Sequence, residues 1–261
     1  MQVLSGKNAL VCGSTQGIGL ASAIELAKLG ANIILMARNE EKLREALLQL
    51  ESQAGQQHRY VVADFSDNES VKSAITQIRE TRIPVHIIVN NTGGPAGGKL
   101  IEAEAEVLLQ TFQMHLINYH LLAQAFVPDM QAARFGRIVN IISTSVKQPI
   151  PGLGVSNTIR WAVAAWAKTL AGELGPDGIT VNNVLPGYTK TTRLEAVISM
   201  RASDQNKSEA EVAEALVATI PTRRFAEAAE VAAAVAFLCT PAAGSINGIN
   251  VPVDGGSTLS L

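Results

Sequence analysis

A chain of 261 residues, 47% hydrophobic and 17% charged, is long enough to bury one large core, and α/β architectures of this length commonly fold as one domain. The net charge of -2, with Lys and Arg scattered along the chain, argues against a nucleic-acid partner. Only Cys12 and Cys239 occur, no apolar run approaches membrane-spanning length, and the first residues lack a signal-peptide pattern, so a cytoplasmic protein with no membrane segment and no disulfide framework is expected.

The run Ala9 to Cys12 predicts a first strand, which breaks into Gly13-Ser14-Thr15-Gln16-Gly17-Ile18-Gly19 and reopens as an amphipathic helix over Leu20 to Leu29. Glycines at 13, 17 and 19 permit positive φ and close backbone approach, so helix N–H groups face a pyrophosphate with the helix dipole behind them. The second strand is Ala31 to Ala37, apolar throughout as a strand buried on both faces is. At its tip, dinucleotide folds place either an acid for the ribose hydroxyls or an Arg for a 2′-phosphate. Arg38 stands there and predicts NADP(H) over NAD(H); the plainer alternative is a solvated residue opening the helix Glu40 to Gln53.

Tyr60 to Phe65 reads as strand three, with Ser66 and Glu69 capping a helix from Ser70 to Arg82. Asp64 and Phe65 lie where a strand end meets an adenine, although an acid leading into a helix is also ordinary capping chemistry. Val85 to Val89 is strand four, ending in the glycine-rich run Asn90 to Gly98, where a ligand can approach the backbone. Helical periodicity fills Ile101 to Met130 until Pro128 kinks or ends it. Arg137 to Ile142 is a strand with Ser143-Thr144-Ser145 at its tip, Trp161 to Leu174 a helix, and Ile179 to Leu185 a strand ending at Pro186-Gly187. The polar stretch Tyr188 to Arg224 interrupts the alternation as a substrate lid does. A helix over Ala228 to Leu238 and a strand near Ile249 to Val253 close the chain. The alternation predicts one α/β domain over residues 1–261: a doubly wound parallel (Rossmann) sheet of about seven strands with helices on both faces, and no metal ligand set.

With these residues in place the sequence resembles the short-chain dehydrogenase/reductases, and within them the 3-oxoacyl-(acyl-carrier-protein) reductases, over roughly residues 6 to 255. Four signatures stand in order: the glycine loop, Asn90-Asn91-Thr92-Gly93, Pro186-Gly187 with Thr191 beyond, and Val253-Asp254-Gly255-Gly256. Cys12 and Thr92 replace the family's usual Thr and Ala. The resemblance implies cofactor contacts at Gly13, Ser14, Gln16, Gly17, Ile18, Gly19, Arg38, Asp64, Phe65, Asn91, Gly93, Pro186, Gly187, Thr189 and Thr191, a small-molecule carbonyl or hydroxyl substrate, and a homotetramer. Two long helices richer in apolar surface than one sheet face can cover support the assembly.

The family's catalytic Asn, Ser, Tyr and Lys are matched only at Ser143. At the family's usual intervals Ser156 takes the Tyr position, Arg160 the Lys position and His115 the Asn position. A serine hydroxyl is far less acidic than a phenol of pKa about 10, and Arg160 stays protonated, so it holds the nicotinamide ribose without relaying a proton. His115 is a candidate proton donor or a satisfied core residue; Tyr188 is a candidate acid or pocket wall. The leading reading is an NADP(H)-dependent oxidoreductase whose Ser143 polarises the substrate oxygen. The alternative is a catalytically impaired NADP(H)-binding sensor or scaffold. Non-redox chemistry of the halohydrin dehalogenase kind fits badly, because those enzymes keep the Tyr and lose the cofactor site.

Overall fold

The computed structural model describes residues 2–52 and 55–260. Seven parallel strands, β1 (Asn8–Cys12), β2 (Asn32–Ala37), β3 (Arg59–Val62), β4 (Ile87–Asn90), β5 (Gly136–Ile141), β6 (Ile179–Pro186) and β7 (Asn250–Val253), form one sheet in the order β3-β2-β1-β4-β5-β6-β7. The winding reverses between β1 and β4, and in open α/β sheets that reversal opens a crevice at the strands' carboxyl ends. The central strands are buried and mostly apolar because both faces are covered. Helices α1 (Gly17–Lys28), α2 (Glu40–Leu47) and α9 (Ala228–Cys239) pack on one face; α3 (Asn68–Glu80), α5 (Asn118–Ala133) and α6 (Gly154–Leu174) pack on the other.

The alternation matches the sequence reading, and its departures have local causes. Helix α2 ends at Leu47, six residues short of the predicted Gln53, which lies outside the described residues. The cap of α3 is Asp67, whose carboxylate accepts from the Glu69 backbone N–H at 3.0 Å; Ser66, the expected cap, turns instead to Asp64. The predicted helix 101–130 is built in pieces: a single 3₁₀ turn, α4 (Ala105–Phe112), a π turn over Gln113–Ile117, then α5. Pro128 does not end α5, because Phe126 and Met130 stay buried on either side of it; the helix stops where Arg134 adopts φ 49°. Helix α6 begins at Gly154, seven residues before the predicted Trp161, with Val155, Ile159, Val163, Ala167 and Ala171 buried along one stripe. The polar stretch 188–224 is two helices, α7 (Thr192–Gln205) and α8 (Glu209–Thr219), around a small cluster of Ala202, Val212 and Leu216.

One polar seam crosses the core. Asn90 donates to Asn140 at 2.8 Å, Asn140 to Asn183 at 2.9 Å and Asn183 to Asn250 at 2.8 Å, each pair in direct register across β4, β5, β6 and β7. The ladder lies under the cleft, since Asn91 follows its first member.

Candidate active site

A cleft of about 800 Å³ runs along the carboxyl ends of the strands. Its floor at β1 is the glycine turn. Gly13 has φ +58°, and a Cβ there would stand 2.6 Å from the Asn91 carbonyl oxygen, so only glycine fits. Gly17, at φ +55°, brings the turn against the Thr191 side chain. The Asn91 side chain clamps the turn by donating to the Gly13 oxygen at 3.1 Å, and Gln16 reaches Thr192 Oγ1 at 3.1 Å.

Gly13, Gln16, Gly17, Ile18, Asn91, Gly93, Pro186, Gly187, Thr189 and Thr191 all line the cleft, as do Arg38, Asp64 and Phe65 at the adenosine end. Ser14 does not. It is fully buried, and its hydroxyl accepts from the Met36 backbone N–H at 3.0 Å, tying the turn to β2; Thr15 faces the cleft in its place. Gly19 does not line it either. Its role is close packing, because a Cβ would lie 2.2 Å from the Gly13 oxygen, and its φ is outside the left-handed region expected of it. Asp64 accepts from the Ser66 backbone N–H at 2.9 Å and from the Ser66 hydroxyl, which hold its carboxyl below the usual range, with Arg38 adding to the effect.

At the other end, Ser143 Oγ accepts from the Ser145 backbone N–H at 3.1 Å, which leaves its own O–H to donate into the cleft. Ser156 and Arg160 sit one turn apart on α6, both buried and both lining the cleft. The Ser156 hydroxyl has no protein partner among the described residues. Arg160 Nη1 donates to the Ile141 oxygen at 2.9 Å, which pins the guanidinium to the end of β5, while its Nε is buried without a partner. Burial lowers its pKa from the ordinary arginine value; Tyr119 opposes the shift and Arg193 adds to it, yet a guanidinium remains charged at any physiological pH.

His115 does not reach the cleft. It is fully buried in the π turn, with Nδ1 2.9 Å from Thr92 Oγ1 and Nε2 unpartnered. Burial first, then the Arg160 charge, holds it well below the ordinary imidazole value, so it is neutral in the fold. The unfolded chain protonates near pH about 6.5 and the folded one does not, so stability is fully present above that pH and falls below it by about 1.4 kcal/mol per unit per histidine. His86, lowered by burial too, acts in the same sense. Urea denaturation between pH 7.5 and 5 is expected to show this slope, reduced by about one proton's worth in His115→Asn. A variant with the parent's slope contradicts the assignment. Tyr188 lines the cleft as wall: its ring sits 6.3 Å from Phe225 and carries the Arg201 guanidinium at 5.8 Å.

Sequence reasoning missed Thr15, Thr192, Leu194 and Val197 as cleft residues. The signal for the last three was the helical spacing of α7, which the polarity of the stretch concealed.

A doubly wound parallel sheet, with a glycine turn and a serine–arginine wall in one switch-point cleft, is a dinucleotide-fold domain of the oxidoreductase kind. A family model described as enoyl-(acyl carrier protein) reductase matches residues 13–258. The 3-oxoacyl-(acyl-carrier-protein) reductase FabG of Haemophilus influenzae is 34% identical over 257 residues, covering 98% of this chain and 100% of the relative. Among solved structures, the L-sorbose reductase of Gluconobacter frateurii, complexed with NADPH and L-sorbose, matches with TM-score 0.92 and 31% identity over 100% of both chains. An actinorhodin polyketide ketoreductase with NADPH matches with TM-score 0.90 and 31% identity, over 100% of this chain and 99% of that one. The chain belongs to the short-chain dehydrogenase/reductase family.

Proposed function

We propose that this protein is an NADP(H)-dependent oxidoreductase of a carbonyl or hydroxyl substrate with an atypical reaction centre. The observation that carries the reading is one continuous cleft with a glycine cradle and Arg38 at one end and Ser143, Ser156 and Arg160 at the other. The cradle fits a pyrophosphate, since the glycine turn from Gly13 to Ile18 lines the cleft and the N-terminus of α1, which begins at Gly17, lies in it. Two similar structures described as NADPH complexes support the choice of cofactor.

When bound, the nicotinamide supplies the hydride. Ser143 donates its hydroxyl proton in a hydrogen bond to the substrate oxygen and polarises the carbonyl. Arg160, with four of its five N–H donors left after the Ile141 bond, orients the nicotinamide ribose and strengthens that polarisation by its charge. No phenol stands at position 156 to deliver the proton, so Ser156 and water complete the transfer. His115, neutral and out of the cleft, takes no part. The α7–α8 segment, residues 188–224, acts as the substrate lid, with Arg193, Leu194 and Val197 facing the cleft.

The cofactor assignment is tested by titration calorimetry with NADPH and NADH. NADPH is expected to bind at least about tenfold tighter, and Arg38→Ala to erase the difference while leaving NADH binding nearly unchanged. Equal binding of the two by the parent protein contradicts the role of Arg38. A second reading, a nucleotide-binding sensor or scaffold, is favoured by one fact: positions 156 and 160 carry Ser and Arg. It predicts tight NADPH binding with no hydride transfer.

Exposed apolar side chains, Leu109 on α4, Trp161 on α6, Phe237 on α9 and Ile249 just before β7, support a homotetramer built on two kinds of two-fold contact. Light scattering that returned the 27.5 kDa monomer mass at micromolar concentration contradicts it. Two buried free thiols, Cys12 and Cys239, fit a reducing cytoplasmic location.

A further inference from the structure

We infer that the substrate end of the cleft is built to hold an oxyanion, a carboxylate or phosphate carried by the substrate itself, between Arg160 and Arg193. The inference rests on the reading of this cleft as a cofactor-and-substrate site and adds the chemistry of the substrate.

The charge inventory is one-sided. Five charged residues line the cleft, Arg38, Asp64, Arg160, Arg193 and Arg201, and the lone acid lies at the adenosine end, engaged with Ser66. Neither Arg160, Arg193 nor Arg201 forms a salt bridge with any described residue.

The two inner guanidinium groups also converge. A Cβ built on Gly94 would lie 3.5 Å from Arg193 Nη2 and 3.7 Å from Arg160 Nη2. Arg160 reaches that point from α6 and Arg193 from the first turn of α7, so both forks meet at the same spot beside the 91–98 loop. Their other partners are backbone carbonyls, the Ile141 oxygen for Arg160 and the Pro95 oxygen at 2.8 Å for Arg193.

Such an arrangement is costly without an anion. Arg160 is only 8% exposed and its Nε has no partner among the described residues, while Arg193 is exposed and lines the cleft beside it. A buried cation with no counter-charge is destabilising, and a second cation close by adds to the cost. A carboxylate or phosphate accepts from both planar forks and neutralises the pair. Ile150, Leu153, Leu194 and Val197, which also line the cleft, are apolar and suit a short aliphatic body. The cofactor's own phosphates are provided for elsewhere, at the glycine turn and Arg38.

The test is calorimetry on the protein with and without saturating NADPH, using three ketone probes: levulinate, its neutral amide, and dihydroxyacetone phosphate. At least one anionic probe is expected to bind about tenfold or more tighter than the amide, and which one is preferred separates a carboxylate from a phosphate. Arg193→Gln is expected to erase that preference while the affinity for NADPH changes less than about twofold. The inference is overturned if the amide binds as well as both anions, if neither anion binds at millimolar concentration, or if Arg193→Gln weakens NADPH as much as the probes, which assigns the residue to the cofactor. The broader reading fails differently. Anion preference without oxidation of NADPH by any probe sinks the oxidoreductase and leaves the anion site standing.

Discussion

Asn140→Leu is expected to destabilise the fold by about 2–6 kcal/mol, enough to leave a domain of ordinary stability marginal. The side chain is fully buried and links Asn90 to Asn183: its oxygen accepts from Asn90 and its amide donates to Asn183. Leucine matches its size but makes neither bond, so an amide donor on one side and a carbonyl acceptor on the other lose their partners where no water reaches. Each such group costs about 1–3 kcal/mol, which exceeds what the added apolar contact returns. The Asn90 Oδ1 atom is already unpartnered, so the ladder has no slack at that end. In urea the midpoint should fall with the slope unchanged, since the surface exposed on unfolding is the same. A midpoint within experimental scatter of the parent contradicts the role given to the ladder.

The second large effect is catalytic. The double change Ser156→Tyr with Arg160→Lys is expected to raise the turnover of a neutral ketoester such as methyl acetoacetate at least tenfold, because general acid catalysis contributes about 10²–10⁴-fold. Both positions line the cleft one helical turn apart, and Ser143, which polarises the substrate oxygen, is untouched. The lysine does not reproduce the Arg160 bond to the Ile141 oxygen, so some loss of stability accompanies the gain in rate. Adding Ser143→Ala to the double variant should remove the gain. If the double variant binds NADPH as the parent does and shows no increase, the missing phenol is not what limits the parent.

The fold was readable because parallel strands covered on both faces are written as short apolar runs, and the glycine turn as glycines that no other residue can replace. Arg38 and Ser143 fall in the cleft because each follows a strand whose place was legible, whereas Ser156 and Arg160 were placed by the intervals of the family the sequence resembles, the start of α6 at Gly154 having gone unread. Ser14 and Gly19 hold the turn instead of lining the cleft, because residues inside one turn divide between facing a ligand and holding the turn, and only the position of Met36 and the Gly13 carbonyl decides which. His115 was left between proton donor and core residue, because periodicity does not report the π turn in which it is buried. The convergence of Arg193 with Arg160 joins residues 33 positions apart beside the Gly94 loop, a non-local fact. The asparagine ladder is of the same kind, four residues of poor strand propensity whose partners come from four different strands.

The central claim, that this altered reaction centre still transfers hydride, is met most directly by a single-turnover experiment with the protein in excess over NADPH deuterated on its nicotinamide. Methyl acetoacetate, levulinate and dihydroxyacetone phosphate serve as acceptors, and mass spectrometry reads deuterium in the product alcohol. Deuterium is expected at the carbinol carbon of at least one product, appearing slowly with the parent protein and not at all with Ser143→Ala. Tight NADPH binding with no deuterium in any product after hours contradicts the account and leaves the nucleotide-binding sensor or scaffold.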